Sequence, residues 1–221
     1  MPPRAVVFDL WETLADWPRE QSEAHYAALA QGFGVEPERF REAWLADRAS
    51  RETGPLAASI RSVSTVLALP EVDVDAVVAL RHEYTRETLR PRRGVVETLE
   101  ELRRRDYRLG LISACSEDVP VVWPETEFDG LLDATVFSCA VGLTKPDPRV
   151  YALACEQLGV QPGEAVFVGD GANDELAGAE RAGLKAVLIL RPEEEEPPWT
   201  EAQGWQPRIT SIPEILPLLD E

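Results

Sequence analysis

Four short segments of the 221-residue chain place polar side chains at or just beyond the ends of apolar runs. Asp9 follows the first run, and Ser113 closes the second. Lys145 lies in a Lys-Pro-Asp-Pro segment after the third run, and Asp170 and Asp174 follow the fourth. A carboxylate in such a position can attack an electrophile and form a covalent intermediate. Because several carboxylates would repel an anionic substrate, they favour a divalent cation among them, and an oxygen-rich site suits Mg²⁺.

Each of these segments has an ordinary structural explanation when it is taken alone. A single Asp after an apolar strand is more often a helix cap or a turn residue, and a Lys-Pro-Asp-Pro segment is compatible with a surface turn. The order and placement of all four segments nevertheless favour one common site. Ligands bind at the carboxyl ends of the strands in open parallel sheets.

The apolar runs and the helical patterns between them predict the scaffold. The runs at residues 4–9, 107–113, 134–138, 165–170 and 185–190 are typical of buried parallel strands. Helical patterns cover residues 95–102, 150–158, 177–182 and 212–219. The alternation of strands and helices predicts an α/β fold with a Rossmann-like, doubly wound parallel sheet.

Residues 17–90 interrupt this alternation, since they contain no run that resembles a strand. Four helices are predicted there, at residues 19–32, 37–52, 55–68 and 73–89, with glycine and proline at the junctions. We therefore expect two domains. A catalytic core comprises residues 1–16 and 91–221, and an all-helical domain of residues 17–90 is inserted into it.

The four polar segments also match a known set of motifs. They read Phe8-Asp9-Leu-Trp-Glu-Thr13-Leu14, Leu109-Gly-Leu-Ile-Ser113-Ala-Cys-Ser116, Thr144-Lys145-Pro146-Asp147-Pro148 and Val168-Gly169-Asp170-Gly-Ala-Asn-Asp174. In type, order and spacing they resemble the motifs of the haloacid dehalogenase (HAD) superfamily of hydrolases, and the resemblance covers nearly the whole chain. It implies the HAD core fold, with the helical insert as the C1 cap of that family.

The resemblance also implies roles for individual residues. Asp9 is expected to be the catalytic nucleophile, Ser113 to hydrogen-bond the transferring group, and Lys145 to balance the charge on Asp9 and on the transition state. Thr13 and the backbone amides near Ala114 would complete the substrate pocket. The implied cofactor is Mg²⁺, with four ligands: Asp9, Asp170, the backbone carbonyl of Trp11, and Asp174 either directly or through water.

The first motif departs from the pattern of the family phosphatases, which carry a second Asp two residues after the nucleophile. That Asp protonates the leaving oxygen, and here its position is occupied by Trp11. General acid–base catalysis contributes about 10²–10⁴ in rate, and an indole cannot supply it. Glu12 is a weaker candidate for the role, because consecutive residues on extended backbone point in different directions.

Three functions remain open at this stage. The preferred one is a Mg²⁺-dependent small-molecule phosphatase that forms an aspartyl-phosphate at Asp9. The second is a 2-haloacid dehalogenase, which needs no general acid because halide leaves unprotonated. Trp11 and Tyr151 stand where such enzymes carry aromatic residues, although Asp170 is a residue that they replace. The third is a catalytically degenerate binding or regulatory protein.

Composition restricts the partners. The formal net charge of −18 argues against nucleic acid and anionic membranes, which would be repelled. We expect no membrane span and no signal peptide, and a cytoplasmic protein whose cysteines, Cys115, Cys139 and Cys155, stay reduced. The expected partner is a small anionic substrate, a phosphate ester or a halo-acid. Arg48, Arg51 and Arg61 are candidates to hold an anionic tail, although exposed arginines are the commoner outcome. The sequence does not predict the oligomeric state.

Overall fold

A six-stranded parallel sheet forms the centre of the computed structural model, which describes residues 2–69 and 72–220. The strands are β1 (Ala5–Phe8), β2 (Arg108–Ser113), β3 (Ala134–Phe137), β4 (Ala165–Gly169), β5 (Lys185–Ile189) and β6 (Arg208–Ile209). They lie in the order β3-β2-β1-β4-β5-β6, and every neighbouring pair is parallel. The predicted doubly wound α/β fold is confirmed, and only the two-residue strand β6 was not predicted.

The segment between β1 and β2 is helical, as its sequence predicts. Its helices are α1 (Arg19–Phe33), α2 (Pro37–Ala46), α3 (Arg48–Thr53), α4 (Leu56–Val66) and α5 (Val74–Thr88). The prediction of a single helix over residues 37–52 was wrong, because the chain forms two helices, α2 and α3, that meet at Asp47. There φ is −87° and ψ is 6°, and the Asp47 carboxylate accepts a hydrogen bond from Ser59 on α4. A side chain that bonds outside its own helix favours such a break.

These five helices, which we call the helical insert, share a hydrophobic cluster of their own. The ring of Phe40 lies 5.0 Å from Phe33 and 5.4 Å from Trp44, measured between centroids. Leu29 and Ile60 complete the centre of this cluster, and both are fully buried. The helical insert therefore has a hydrophobic core of its own, and the chain connects it to the sheet at both ends.

The helices after the insert cover both faces of the sheet. They are α6 (Val95–Arg104), α7 (Asp118–Val122), α8 (Ser138–Val141), α9 (Pro148–Leu158), α10 (Glu175–Arg181) and α11 (Ile215–Leu219). Side chains alternate along β1, as the pleat of a strand requires. Val6 and Phe8 pack with residues of α6 and α11, whereas Ala5 and Val7 pack with residues of α9 and α10. Both faces are buried, which explains why the strands read as continuous apolar runs.

The register of the central strands places the polar residues at one edge of the sheet. Phe8 at the end of β1 pairs with Leu111 on β2 and with Val168 on β4. The amide of Asp9 then donates to the carbonyl of Val168 at 2.8 Å. Since β2 and β4 flank β1, the residues that close these strands surround Asp9. The fold thus brings three chain-distant segments together at the carboxyl edge.

Close packing behind this edge gives a test of the fold. A Cβ on Gly178 of α10 would lie 2.8 Å from Cβ of Pro146 and 2.8 Å from the Tyr151 hydroxyl. Alanine normally favours a helix over glycine by about 1 kcal/mol, but overpacking costs about 1–3 kcal/mol. We predict that Gly178→Ala lowers the free energy of unfolding in urea.

The matched control for this variant is Gly163→Ala. Apart from its chain neighbours, no residue that the structure describes has a heavy atom within 4 Å of a Cβ built at Gly163, so this change should leave stability equal or slightly higher. A Gly178→Ala protein as stable as the wild type would contradict the described contact between α10 and Pro146.

Candidate active site

The centre of the carboxyl edge is a buried lysine held between two carboxylates. The Nζ atom of Lys145 contacts Oδ1 of Asp9 and lies 2.5 Å from Oε2 of Glu175. Lys145 is 8% exposed, Asp9 6% and Glu175 1%. The three residues come from the segments after β3, β1 and β4, so the fold as a whole sets their distances. A carboxylate so fixed beside an ammonium group is positioned for attack on a bound electrophile.

Burial dominates the electrostatics of this cluster. It raises the pKa of Asp9, and Lys145 acts in the opposite direction while the charge of Asp170 raises that pKa further. Burial likewise raises the pKa of Glu175. For Lys145, burial alone would lower the pKa, but the charges of Asp9 and Glu175 raise it overall. Lys145 therefore carries its positive charge at neutral pH, and the three carboxyl groups of Asp9, Asp170 and Glu175 outnumber this one cation.

The excess negative charge fits a divalent cation. Carboxylate oxygens of Asp9, Asp170 and Glu175 lie within 4.8 Å of one another. Three carboxylates around one ammonium group leave a net charge that a divalent cation would compensate. Oxygen donors of this type suit Mg²⁺, which binds through few carboxylates and keeps several waters. On donor chemistry and spacing, the residues present fit the expected ion.

The structure places the carboxylate of Glu175, rather than that of the predicted metal ligand Asp174, in the cluster with Asp9 and Asp170. The carboxylate of Asp174 points to Arg181, at 2.9 Å, and its side chain is 42% exposed. The reason lies in the backbone, since Asn173 and Asp174 both adopt left-handed conformations with φ of 54° and 58°. These two residues turn the chain so that α10 begins with Glu175 on its buried side. Helical periodicity with the buried Ala179 four residues later was the signal that could have identified Glu175.

Asp170 is held at the rim of the cluster by two hydrogen bonds. Its Oδ1 accepts from the backbone amide of Ala172, and its Oδ2 accepts from Nε1 of Trp199, each at 3.1 Å. Trp199 lies in the loop after β5, whose acidic run gave no sign of a role at the site. That loop therefore contributes an aromatic side chain beside the carboxylate cluster.

Two predicted site residues have buried hydroxyls that lack a partner. Ser113 and Thr13 are fully buried, and neither side-chain oxygen has a hydrogen-bond partner among the residues that the structure describes. Buried polar groups are nearly always hydrogen-bonded, so both hydroxyls remain available to a further partner. The backbone amide of Cys115 donates to Oγ of Ser138 at 3.0 Å. Ala114, the residue before it, lines the cavity.

The side chains of Trp11 and Glu12, which follow Asp9 closely in the sequence, point in different directions. The indole of Trp11 lines the cavity and meets Trp17 edge to face, with ring centroids 5.1 Å apart. Glu12 has a φ of 59°, and its carboxylate forms ion pairs with Arg19 at 3.1 Å and with Arg191. Each carboxylate oxygen of Glu12 thus has a guanidinium partner. The structure gives no support to Glu12 as the replacement for the missing general acid.

A cavity of about 380 Å³ separates the carboxylate cluster from the helical insert. This volume lies in the range of about 300–1,000 Å³ that is typical of small-molecule sites. Asp9 and Lys145 line one side, and residues of the insert line the other. Aromatic side chains make up much of its wall: Trp11, Trp17, Tyr26, Trp44, Tyr84 and Trp199. The cavity therefore suits a small substrate with an apolar or aromatic body.

An ion pair that sequence reasoning missed joins the insert to the core beside this cavity. Nη2 of Arg81 on α5 donates to Oδ2 of Asp118 on α7 at 2.8 Å, and Asp118 is fully buried. Thr85 and Ser116 also donate to Asp118. Burial alone would raise the pKa of Asp118, but Arg81 and these hydroxyls lower it overall. The pairing spans 37 positions of sequence between two polar residues, so no local pattern indicates it.

Comparison with known proteins places this geometry in context. A family model of haloacid dehalogenase-like hydrolases matches residues 3–183. The (S)-2-haloacid dehalogenase 4A of Burkholderia cepacia is 34% identical over 124 residues, which cover 56% of this chain and 52% of that enzyme. The chain thus matches about half the length of this relative. A Mycobacterium tuberculosis protein named as a phosphatase is 31% identical over 196 residues, covering 85% of this chain and 87% of that protein.

The fold itself also has solved counterparts. The structure of an L-2-haloacid dehalogenase aligns over 100% of both chains with a TM-score of 0.69 and 24% sequence identity. At 24% sequence identity, this structural similarity supports a shared fold and nothing further. Within the described part of the chain, no helix combines the length and the apolar character that crossing a membrane requires.

Proposed function

The chain belongs to the haloacid dehalogenase-like hydrolases, and on this basis we propose that it is a Mg²⁺-dependent phosphatase of small molecules. The observation that carries the proposal is the cluster of Asp9, Asp170 and Glu175, whose charge exceeds what Lys145 can balance. A dehalogenase of this family needs no metal, so a cluster of three carboxylates, of which Asp9 and Glu175 are buried, favours the phosphatase. Since the family and its named relatives are hydrolases, a regulatory role without turnover has no support.

In the proposed reaction, an oxygen of Asp9 attacks phosphorus and the bond from phosphorus to the leaving oxygen breaks. The leaving oxygen takes the electron pair, and an aspartyl-phosphate remains on Asp9. A water molecule then attacks phosphorus and the bond from phosphorus to the Asp9 oxygen breaks, which releases inorganic phosphate and a proton and restores the Asp9 carboxylate. Lys145 orients Asp9 and balances the developing charge, while Ser113 and the amide side of Ala114 hydrogen-bond the transferring group.

The proposed ligands of Mg²⁺ are Asp9, Asp170, Glu175 and the backbone carbonyl of Trp11. A bound divalent cation supplies charge stabilisation to the oxygens of the transferring group. Residues 17–90 are proposed to act as the cap of this family. Since they line the cavity opposite Asp9, they would exclude water from the reaction and contact the part of the substrate that is not transferred.

A 2-haloacid dehalogenase is the second candidate, and two observations favour it. The indole of Trp11 lies where a phosphatase would need an acid. Oδ2 of Asp170 already accepts a hydrogen bond from Nε1 of Trp199, so this oxygen has a partner other than a metal ion. In that reaction Asp9 would attack the carbon that bears the halogen, and halide would leave with the bonding pair. Halide release from 2-haloacids, measured beside phosphate release from phosphate esters, separates the two candidates.

Metal binding gives the first test of the proposed function. We predict that Mg²⁺ raises the melting temperature of the wild type, because it binds the folded carboxylate cluster and not the unfolded chain; at a hundredfold excess over Kd the gain is about 2.7 kcal/mol. Asp170→Asn should abolish this shift. The matched control Asp174→Asn also removes one negative charge, but that carboxylate pairs with Arg181, so the shift should persist.

Two results would count against the metal site. Loss of the shift in Asp174→Asn would restore that residue as a ligand. If Mg²⁺ and EDTA change neither the melting temperature of the wild type nor its rate of phosphate release, the dehalogenase is favoured.

Trp11 gives the second test, through the leaving group. Without a general acid, nothing neutralises charge on a poor leaving oxygen, so the rate should fall steeply as the pKa of the leaving alcohol rises. We predict far faster cleavage of aryl than of alkyl phosphates. Trp11→Asp should flatten this dependence and help alkyl phosphates most, by up to about 10². The measurement is kcat/KM across a series of phosphate esters.

The control for this experiment is Trp11→Phe, which keeps an aromatic ring but adds no acid. It should retain the steep dependence even if its overall rate changes with the space opened beside Trp17. A shallow dependence in the wild type, or an equal loss for all esters in Trp11→Asp, would refute the proposed role of this position.

A further inference from the structure

Arg51 is a buried cation on the insert side of the cavity. It is 7% exposed, and its Cζ lies 4.0 Å from the ring centroid of Trp44. Its Nη1 donates to the Trp44 carbonyl at 3.0 Å and approaches the Ser59 hydroxyl at 3.5 Å. Arg51 also lines the cavity that contains Asp9. It is therefore not one of the exposed arginines expected from the sequence.

Among the residues that the structure describes, no carboxylate oxygen lies within 4.0 Å of the Arg51 guanidinium group. The charges of Tyr26, Asp47 and Glu52 act on its pKa only as smaller, opposing influences. Burial, followed by the positive charge of Arg81, lowers the pKa of Arg51 to about 10. A buried charge is costly unless a counter-charge pairs with it. Arg51 thus lies in the cavity wall without such a partner.

Arg81 adds a second guanidinium group to the same place. Its Cζ lies 5.8 Å from the ring centroid of Trp44 and 5.4 Å from that of Tyr84. Asp118 pairs with Nη2, and His25 lies 3.1 Å from Nη1. The Nε atom is buried and has no hydrogen-bond partner within the described parts of the chain. Two guanidinium groups therefore share one directly paired carboxylate, Asp118.

We propose that Arg51 and Arg81 form an anion subsite, and that the substrate carries a carboxylate at the end opposite to its transferring group. One uncompensated positive charge matches one carboxylate better than a doubly charged phosphate. The planar guanidinium groups match the two oxygens of a carboxylate, and the aromatic walls accept a small apolar or aromatic body between the two ends. This inference rests on the proposed function for the identity of the transferring group.

The experiment compares two aryl phosphates of nearly equal shape, 3-carboxyphenyl phosphate and 3-carbamoylphenyl phosphate. Both carry a good leaving group, so the missing general acid affects them alike. The wild type should prefer the carboxylate, with kcat/KM higher by about tenfold, as expected for a charge-assisted hydrogen bond. Arg51→Gln should bring the ratio of the two kcat/KM values close to one. Arg51→Lys should keep part of the preference, because it retains the charge and loses the planar fork.

Arg61→Gln is the matched control. Arg61 lies on α4 of the same insert, is exposed, and donates only to the Ala57 carbonyl, at 3.2 Å, among the described residues. Its loss removes the same charge from the insert, so the ratio should stay at the wild-type value. An equal fall of the ratio in both variants would overturn the subsite, because it would reduce the effect to net charge.

Calorimetric titration of the inactive Asp9→Asn protein with both esters separates this inference from the proposed function. Tighter binding of the carboxylate ester, lost in Asp9→Asn/Arg51→Gln, supports the subsite even if the wild type hydrolyses neither ester; that result would overturn the phosphatase alone. Equal affinities, or no binding of either ester, would overturn the subsite. If Arg51→Gln fails to melt cooperatively, the ratio measured with Arg51→Lys decides, and an unchanged ratio there refutes the proposal.

Discussion

Lys145 lies almost fully buried between the carboxylates of Asp9 and Glu175, and the carboxyl edge of the sheet is arranged around this contact. An isolated ammonium group in such a place would lose several kcal/mol of hydration, so both carboxylates must stay in position. The Tyr151 hydroxyl contributes by donating to the Glu175 carbonyl at 2.7 Å. Gly171 contributes through its amide, which donates to Oε1 of Glu175 at 3.0 Å. Asp9 is oriented because its buried partner Lys145 is itself held by Glu175.

Ion pairs join the helical insert and the loop after β5 to the residues around the site. Glu12 follows the nucleophile in a left-handed conformation, and its carboxylate joins Arg19 of the insert to Arg191 after β5. On the other side, Arg81 joins the insert to Asp118 of the core. Glu12, Arg19, Arg81 and Asp118 line the cavity together with the aromatic side chains. In the proposed function, the chemistry of the transferring group therefore resides in the core, and the insert recognises the remaining part of the substrate.

The sequence predicted what short-range patterns determine. Strands buried on both faces read as apolar runs, and the residues that close them meet because parallel strands end at one edge. The choice between Asp174 and Glu175 depended on where α10 begins, which the two left-handed residues Asn173 and Asp174 determine, and the only sequence signal for it is the four-residue spacing of Glu175 and the buried Ala179. The burial of Arg51 against Trp44 depended on how α2 and α3 pack, which periodicity alone does not specify. The two-residue strand β6 is too short to give a pattern at all.

Rapid-quench mass spectrometry tests whether Asp9 forms a covalent bond to the transferring group. Enzyme mixed with an aryl phosphate and Mg²⁺ is quenched in acid within one turnover, digested and sequenced by tandem mass spectrometry. We expect one phosphoryl group on the peptide of β1, attached at Asp9, and we expect it to disappear as the substrate is exhausted. Phosphate release in a burst with no adduct on Asp9, or an adduct on another residue, would contradict it.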